Sequence, residues 1–377
     1  MSVSIHIVSF DIPYPPNYGG VIDVYYKIRE LNRQGVKVIL HCFEYSRKPA
    51  PELAEFCEEV CYYPRLTGWM SALSRNPYIV ESRRSEPLIR RLLHDRHPIL
   101  LEGLHTCFLL DDPRLRDRLK IYRESNIEHR YYFHLFRAER SLWRKGYYLA
   151  ESIRLRHFQS HLRHADKMLV VSSDDAAYLR KRFPAKEIIW IPSFHPDQEV
   201  GSLPGKGEFI LYQANLSVPE NSKAARYILE VIHDDSMPEL VIAGLDPPRT
   251  LVRLAARKPN VRLVANPDDE TMLHLIRHAH INLLITFQAT GLKLKLLHSL
   301  HQGRFCLVNA AMVAGTGLDS LCELASDPGT FRTSIRMLLE TEFTTDHIRQ
   351  RETILSEQFS NKKNCKILLD AVTLSSF

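Results

Sequence analysis

Two hydrophobic periods take turns along this chain. Short aliphatic runs with the character of buried strands fall at residues 3–9, 36–42, 60–63, 98–101, 119–124, 167–171 and 188–191. After the first run, apolar residues recur at helical spacing at Val21, Val24, Tyr25, Ile28 and Leu31, and Gly35 closes the stretch. Helices are also predicted over 52–59, 68–73, 85–93 and 172–183, and a long helical stretch runs on past residue 132 to 164. The alternation then restarts. Strands are predicted at 209–213, 240–244, 261–264, 281–285 and 305–308, with helices over 218–232, 248–257 and 268–278. A further helix carries leucines at 292, 296, 297 and 300 and ends at Gly303; residues 318–374 read as helical.

Strands linked through helices by short turns build parallel sheets. Pro192, Pro196 and the Gly- and Pro-containing tract 201–207 mark a linker. The expected fold class is therefore α/β, with two Rossmann-like domains facing a central cleft. Their bounds are 1–195 and 205–377, the last helix being free to pack back on the first domain. Ligands favour clefts of this kind.

The chain's 377 residues exceed one ordinary core, in keeping with two domains. A net charge of +6 suits anionic ligands or a membrane surface and requires neither. The basic residues are interleaved with apolar ones, so they read as amphipathic helix faces, and no nucleic-acid motif appears. Arg83, Arg84, Arg90 and Arg91, with Trp69 and Tyr78, are such a group, open to a membrane, an acceptor or plain solvent. The seven cysteines lack metal-binding spacing and suit a reduced cytosolic chain. No apolar run reaches the length of a membrane span, and the first strand begins at once, so neither signal peptide nor transmembrane helix is expected.

Candidate chemistry lies at strand ends. Gly19 and Gly20 stand between the first strand and its helix, where backbone N–H groups attract anions. Glu102 and His105 follow the 98–101 strand, and Asn126, Glu128, Arg130 and Tyr131 follow the 119–124 strand. In the second half, Lys293 and Lys295 occupy the first turn of a helix, the unfavourable end for cations unless an anion binds there. Two solvated lysines are the plain alternative. Lys295, His298 and Gln302 share a helix face, whereas Lys293 lies about 200° away from Lys295. Ser172 with Asp175, and Ser217 with Glu220, have capping-box spacing. The Asp-Asp pairs at 111–112, 174–175, 234–235 and 268–269 read as caps and turns.

In this order, these pieces resemble a GT-B-fold nucleotide-sugar glycosyltransferase of the family 4-like (group 1) type found in bacterial surface-polysaccharide clusters. The matching residues are Tyr18-Gly19-Gly20, Glu102 to His105, Asn126-Ile127-Glu128 with Tyr131-Tyr132, Ser172 with Asp175, Leu216 with Glu220-Asn221, Ala243-Gly244, and Gly291 to Leu297. The resemblance implies transfer of a hexose-type sugar to a glycan, a lipid-linked saccharide or another hydroxyl acceptor, with retained anomeric configuration and no required metal or other cofactor. His105 would contact the transferred sugar, with Glu128 and Glu102 as bases were the reaction inverting. Gly19, Gly20, Asn215, Gly291, Lys293, Lys295 and His298 would lie on the donor side, and Asn126, Arg130 and Tyr131 on the acceptor side. One departure stands out: family members carry a ribose-binding glutamate where this chain has His298, and many carry another where it has Thr290. A nucleotide-sugar 2-epimerase and a non-catalytic glycan- or partner-binding protein are the rival readings. The expected location is cytoplasmic, with peripheral contact at the inner face of the membrane.

Overall fold

The structure, a computed structural model, describes residues 3–68, 71, 74–139, 141–287 and 293–373. The first set of strands is β1 (Ser4–Ser9), β2 (Lys37–Glu44), β3 (Glu59–Pro64), β4 (Ile99–Glu102), β5 (Lys120–Arg123), β6 (Lys167–Val170) and β7 (Glu187–Trp190). Its longer helices are α1 (Gly19–Arg33), α2 (Glu86–Leu92), α3 (Glu128–Ala138), α4 (Leu142–Phe158) and α5 (Ser173–Arg182). The second set has β8 (Phe209–Gln213), β9 (Leu240–Gly244), β10 (Val261–Ala265), β11 (Ala279–Leu284), β12 (Phe305–Val308) and β13 (Glu323–Leu324). Its helices are α6 (Pro219–Tyr227), α7 (Arg249–Ala255), α8 (Asp269–His278), α9 (Leu294–Gln302), α10 (Pro328–Glu340) and α11 (Thr345–Gln358), and α12 (Asn361–Thr373) ends the described chain.

Two units result. One comprises residues 3–196 with 359–373, the other 197–287 with 293–358. The first sheet has the order β3-β2-β1-β4-β5-β6-β7 and the second β10-β9-β8-β11-β12-β13, with every pairing parallel. Both orders reverse direction at one point, between β1 and β4 and between β8 and β11. The loops leaving the carboxyl ends of those strands part there and open a crevice, the usual seat of a ligand in such sheets.

Apolar side chains cover both faces of the first sheet. Val8, Leu101, Tyr122 and Met168 pack under one layer of helices, and Ile7, Leu40, Leu100 and Ile121 under the other. The second layer includes α12, whose Cys365, Leu368, Ala371 and Val372 share a core with Val24 and Ile28 of α1. A fully buried leucine or valine contributes about 1.5–3 kcal/mol, so α12 is a structural part of the first unit.

A buried ionic cluster ties α1 to the sheet. Lys27 Nζ donates to Asp23 Oδ2 (2.9 Å) and to Glu102 Oε1 (2.6 Å), while Arg123 Nη2 donates to Asp23 Oδ1 (3.2 Å). Arg123 also reaches the carbonyls of Ile191 and Pro192, at 2.6 and 3.1 Å. Two acids and two bases thus balance inside the core, the condition under which buried charges are tolerated.

The structure departs from the sequence expectation in several places. The long helical stretch divides into α3, ending at Ala138, and α4, beginning at Leu142. Residues 52–59 form only a short 3-10 turn, Pro51–Glu55, started by Pro51. The stretch 318–374 is not all helical, because Glu323–Leu324 pairs with β12 as an edge strand. The helix expected over 68–73 falls largely outside the described residues.

Candidate functional site

In the first unit the switch point is framed by Phe10 after β1, the start of α1, and Gly103–His105 after β4. The Phe10 and His105 rings lie 5.2 Å apart. A Cβ on Gly20 would meet Phe10 Cζ at 2.5 Å, so the glycine lets α1 begin directly against that ring. Gly103 has φ +71°, and a Cβ there would lie 2.9 Å from His105 Nδ1. Both glycines therefore serve the position of His105. Its Nδ1 is buried and takes no hydrogen bond from the described residues. Burial, together with the charges of Arg83 and Arg65, holds the imidazole pKa well below its ordinary value, so the ring is neutral at neutral pH.

Gly19 is the first residue of α1, and that helix start has neither a side-chain cap nor an acidic residue in its first turn. The loop before it is fixed from β2's side. Arg47 Nη1 donates to the carbonyls of Ile12 (3.0 Å) and Pro15 (2.8 Å), and its guanidinium lies 5.0 Å from the Tyr18 ring centre. Tyr18 in turn donates to Asp11 Oδ2 at 2.7 Å.

Glu128 is the first residue of α3. It is buried, and its carboxyl has no hydrogen-bond partner among the described residues. Burial pushes it up to about 8, against the pull of Arg83. Arg83 is itself buried, and it donates to the Phe10 carbonyl (2.8 Å) and the Ile79 carbonyl (2.6 Å). Asn126 Oδ1 nearby in sequence is also buried and unpartnered. The unpartnered Asn126 Oδ1 and His105 Nδ1, with the raised Glu128 carboxyl and the Arg83 charge, give this region the mark of a binding site, since buried polar groups are otherwise paired.

The structure does not bring every expected residue into this group. Glu102 turns toward α1 and is committed to Lys27, which removes it as a base. Burial and the Asp23 charge raise its pKa, with Lys27 opposing. Arg130 is exposed and stacks over Tyr178, 4.2 Å from the ring centre, and Tyr131 packs edge-on to Tyr132. Arg83, grouped with surface arginines on sequence grounds, is a core residue of the site.

The second unit has its own cluster at the β8/β11 switch point. Glu220, in the first turn of α6, accepts from Thr286 Oγ1 (2.8 Å) and from the Phe287 N–H (3.0 Å). It thus joins two strand ends instead of forming a capping box with Ser217, which bonds to Asn215. Asn215 spends its side-chain oxygen on that turn and its carbonyl on Asn221 (2.8 Å), so it shapes the loop. Lys293 is the N-cap of α9, and Lys295 follows in the first turn, with no acidic residue there. Burial brings the Lys295 ammonium down to about 8; Glu220 opposes this and Lys293 adds to it. Lys295 Nζ lies 5.8 Å from the Tyr212 ring centre. A partly buried cation at the open start of a helix favours an anion. Gly291 falls outside the described residues, as does Thr290.

One turn along α9, His298 Nδ1 lies 2.8 Å from Asp197 Oδ2, and Gln302 donates to Asp197 Oδ1 at 2.8 Å. A carboxylate partner fixes Nδ1 as a protonated nitrogen and so orients the ring. The Asp197 carboxyl, which burial alone would raise, is kept below its ordinary pKa chiefly by His298. Asp246 and Asn266, at the ends of β9 and β10, are the non-glycine residues with positive φ among the described residues (45° and 52°). The Asp246 N–H donates to Asn266 Oδ1 at 2.7 Å. Such held, costly backbone conformations concentrate at ligand sites. Sequence reasoning named Arg83 only within a group of arginines and missed Asp197, Asp246 and Asn266. None lies in a motif, and Asp197 and His298 meet across 101 residues.

Three of the Asp-Asp pairs cap turns or a helix: Asp112 accepts from Arg114 N, Asp234 from Ser236 N and Asp268 from Thr271 N. At 174–175 the cap is Ser172, whose Oγ accepts from the Asp175 N–H.

Three solved structures share this architecture over nearly the full chain. Anabaena Alr3699/HepE, in complex with UDP and glucose, superposes with a TM-score of 0.67 at 12% identity, covering 99% of both chains. The fold is GT-B. Staphylococcus aureus TarM, in complex with fondaparinux, α-GlcNAc-glycerol and UDP, gives 0.64 at 8% identity, again over 99% of both chains. The lipopolysaccharide outer core galactosyltransferase WaaB gives 0.64 at 14%, over 99% of this chain and 100% of its own. In sequence, the chain is 26% identical over 341 residues to an uncharacterized 44.6 kDa protein in the cps region of Klebsiella pneumoniae, covering 83% of this chain and 84% of that protein. No family model matches the sequence.

Proposed function

We propose that the protein is a glycosyltransferase that moves a hexose-type sugar from a nucleotide-sugar donor to a glycan, lipid-linked saccharide or other hydroxyl acceptor. The observation that carries this reading is Lys295, partly buried at the uncapped start of α9 on the second sheet's switch point, in a GT-B fold. Lys295, with Lys293 and the helix start, would hold the donor diphosphate and stabilise it as it leaves. His298, oriented by Asp197, would accept from one donor hydroxyl in the place where the family uses a glutamate. UDP donors are the first to test, because HepE and TarM were captured with UDP.

In the first unit, the neutral His105 would hydrogen-bond the transferred sugar, and Arg83 and Asn126 would line the same region. Glu128 is protonated at neutral pH. It therefore serves as a hydrogen-bond donor and is a poor base, which supports a retaining course. In that course the bond from the anomeric carbon to the diphosphate breaks, the bond to the acceptor oxygen forms on the same face, and the acceptor proton passes to the departing phosphate oxygen. No metal enters the proposal. A cytoplasmic chain resting on the inner face of the membrane goes with a lipid-linked acceptor.

A panel of UDP-, GDP- and TDP-sugars scored by thermal shift identifies the donor. A ligand at a hundredfold its Kd adds about 2.7 kcal/mol of stability. With that donor, Lys295→Ala is expected to lose at least about tenfold in rate with the fold intact, the loss of one charge-assisted bond. Normal activity in that variant would overturn the anion-site assignment. Release of an epimer or free sugar without an acceptor would instead identify a 2-epimerase, and absence of binding to every nucleotide sugar a non-catalytic binder.

A further inference from the structure

The hairpin of α3 and α4 carries an apolar outer surface that the transfer chemistry does not use. Trp143 is 92% exposed, Leu142 83% and Ile153 63%. Phe133, Tyr147 and Leu149 are exposed beside them. Along α4, Leu142, Leu149 and Ile153 are spaced to lie on one ridge, with Trp143 and Tyr147 on the next. The opposite face of α4 is anchored. Glu151, Ser152, Leu155 and Phe158 are buried, Ser152 Oγ donates to the His129 carbonyl (2.8 Å), and Glu151 accepts from the Tyr78 N–H (2.8 Å). The outer residues are therefore held outward by a fixed helix.

The charges on this face have one sign. Arg130, Arg137, Arg144 and Arg156 are exposed. The hairpin's described acids are withdrawn: Glu128 and Glu151 are buried, and Glu139 is 20% exposed and lies 3.9 Å from Arg144. No described helix is long and apolar enough to cross a membrane.

We infer that the outer face of the α3–α4 hairpin docks on an anionic lipid bilayer, with Trp143 and Leu142 entering the headgroup–acyl boundary and the arginines meeting lipid phosphates. Charge complementarity selects this occupant. Tryptophan and leucine bordered by arginine suit the membrane interface, where an indole finds an apolar body and a wet edge together. A symmetric contact with a second copy would set the arginines against their own equivalents. An anionic leaflet attracts all of them, in a salt-dependent way. The inference gives a surface to the peripheral position proposed above, and it stands or falls apart from the transferase reading.

The test is flotation of the full chain with vesicles of phosphatidylcholine alone and of phosphatidylcholine with one-quarter phosphatidylglycerol. Binding is expected to the anionic vesicles only, to weaken with salt, and to fall by about tenfold or more in Leu142→Ser/Trp143→Ala, whose apolar area is lost. Both side chains are exposed, so the variant should keep the wild-type thermal midpoint and the wild-type rate on a soluble acceptor. Absence of binding, equal binding to both vesicles, or unchanged binding by the variant would overturn the inference. So would a dimer in sedimentation that the variant converts to monomer.

Discussion

At the scale of single residues, the first unit holds a carboxyl group in its neutral form. Glu128 lacks a bonding partner among the described residues and is raised to about 8 by burial. Between the unfolded value, about 4.5, and 8 the folded chain holds a proton that the unfolded chain has released. Stability from this residue is thus fully present below about 4.5 and is lost as pH rises toward 8. The full span of the shift is worth at most about 5 kcal/mol at the 1.36 kcal/mol of each pKa step. Glu128→Gln, which cannot ionise, is expected to become more stable relative to wild type with rising pH across that window. Urea titrations at pH 5 and pH 8 check this, and a difference that does not grow with pH would remove the neutral-acid role. Lys295 is the complement, a cation whose charge is made costly by burial and which the proposed anion would favour.

At the scale of elements, the sequence was most readable where strands are covered on both faces. β1, β2, β8 and β9 appear as apolar runs because a parallel strand under two helix layers has no solvent side. The glycines at the start of α1, the lysines at the start of α9 and the Ser172 cap were also legible, since each is a local device. What stayed hidden depends on contacts between distant segments. The two-residue β13 is too short to show a period. Ser217 and Glu220 have cap spacing, yet Glu220 is claimed by Thr286 across 66 residues. Glu102 was placed correctly at a strand end, but Lys27, 75 residues earlier, takes its charge. That pairing has an energetic signature. Lys27→Met should cost about 3–5 kcal/mol, because it strands a buried carboxylate. Adding Glu102→Leu should recover much of the loss by removing the stranded charge, a sign reversal that denaturant midpoints would detect. Additive losses would contradict the ionic cluster.

At the scale of the whole molecule, two sheets built on the same switch-point plan each gather their own chemistry. Legibility was uneven between them. Helix-start lysines announce themselves in sequence, whereas Arg83 lay among surface-like arginines and only the fold buries it beside Phe10. The Asp197–His298 pair was half visible: the histidine stood out as a departure, and its partner lay at the chain's crossing between units.

Among the described residues that crossing is made again in reverse, because α12 returns to the first unit after α11 has completed the second. The first unit is therefore discontinuous in sequence. On the ribosome, the α1 surface that receives Leu368 and Val372 must wait, uncovered, while more than a hundred and fifty residues of the other unit are made. Completion of the first unit is thus tied to a helix made after the second, and a chain cut after residue 358 is expected to expose that groove, read as increased binding of an apolar dye, while its second sheet stays whole.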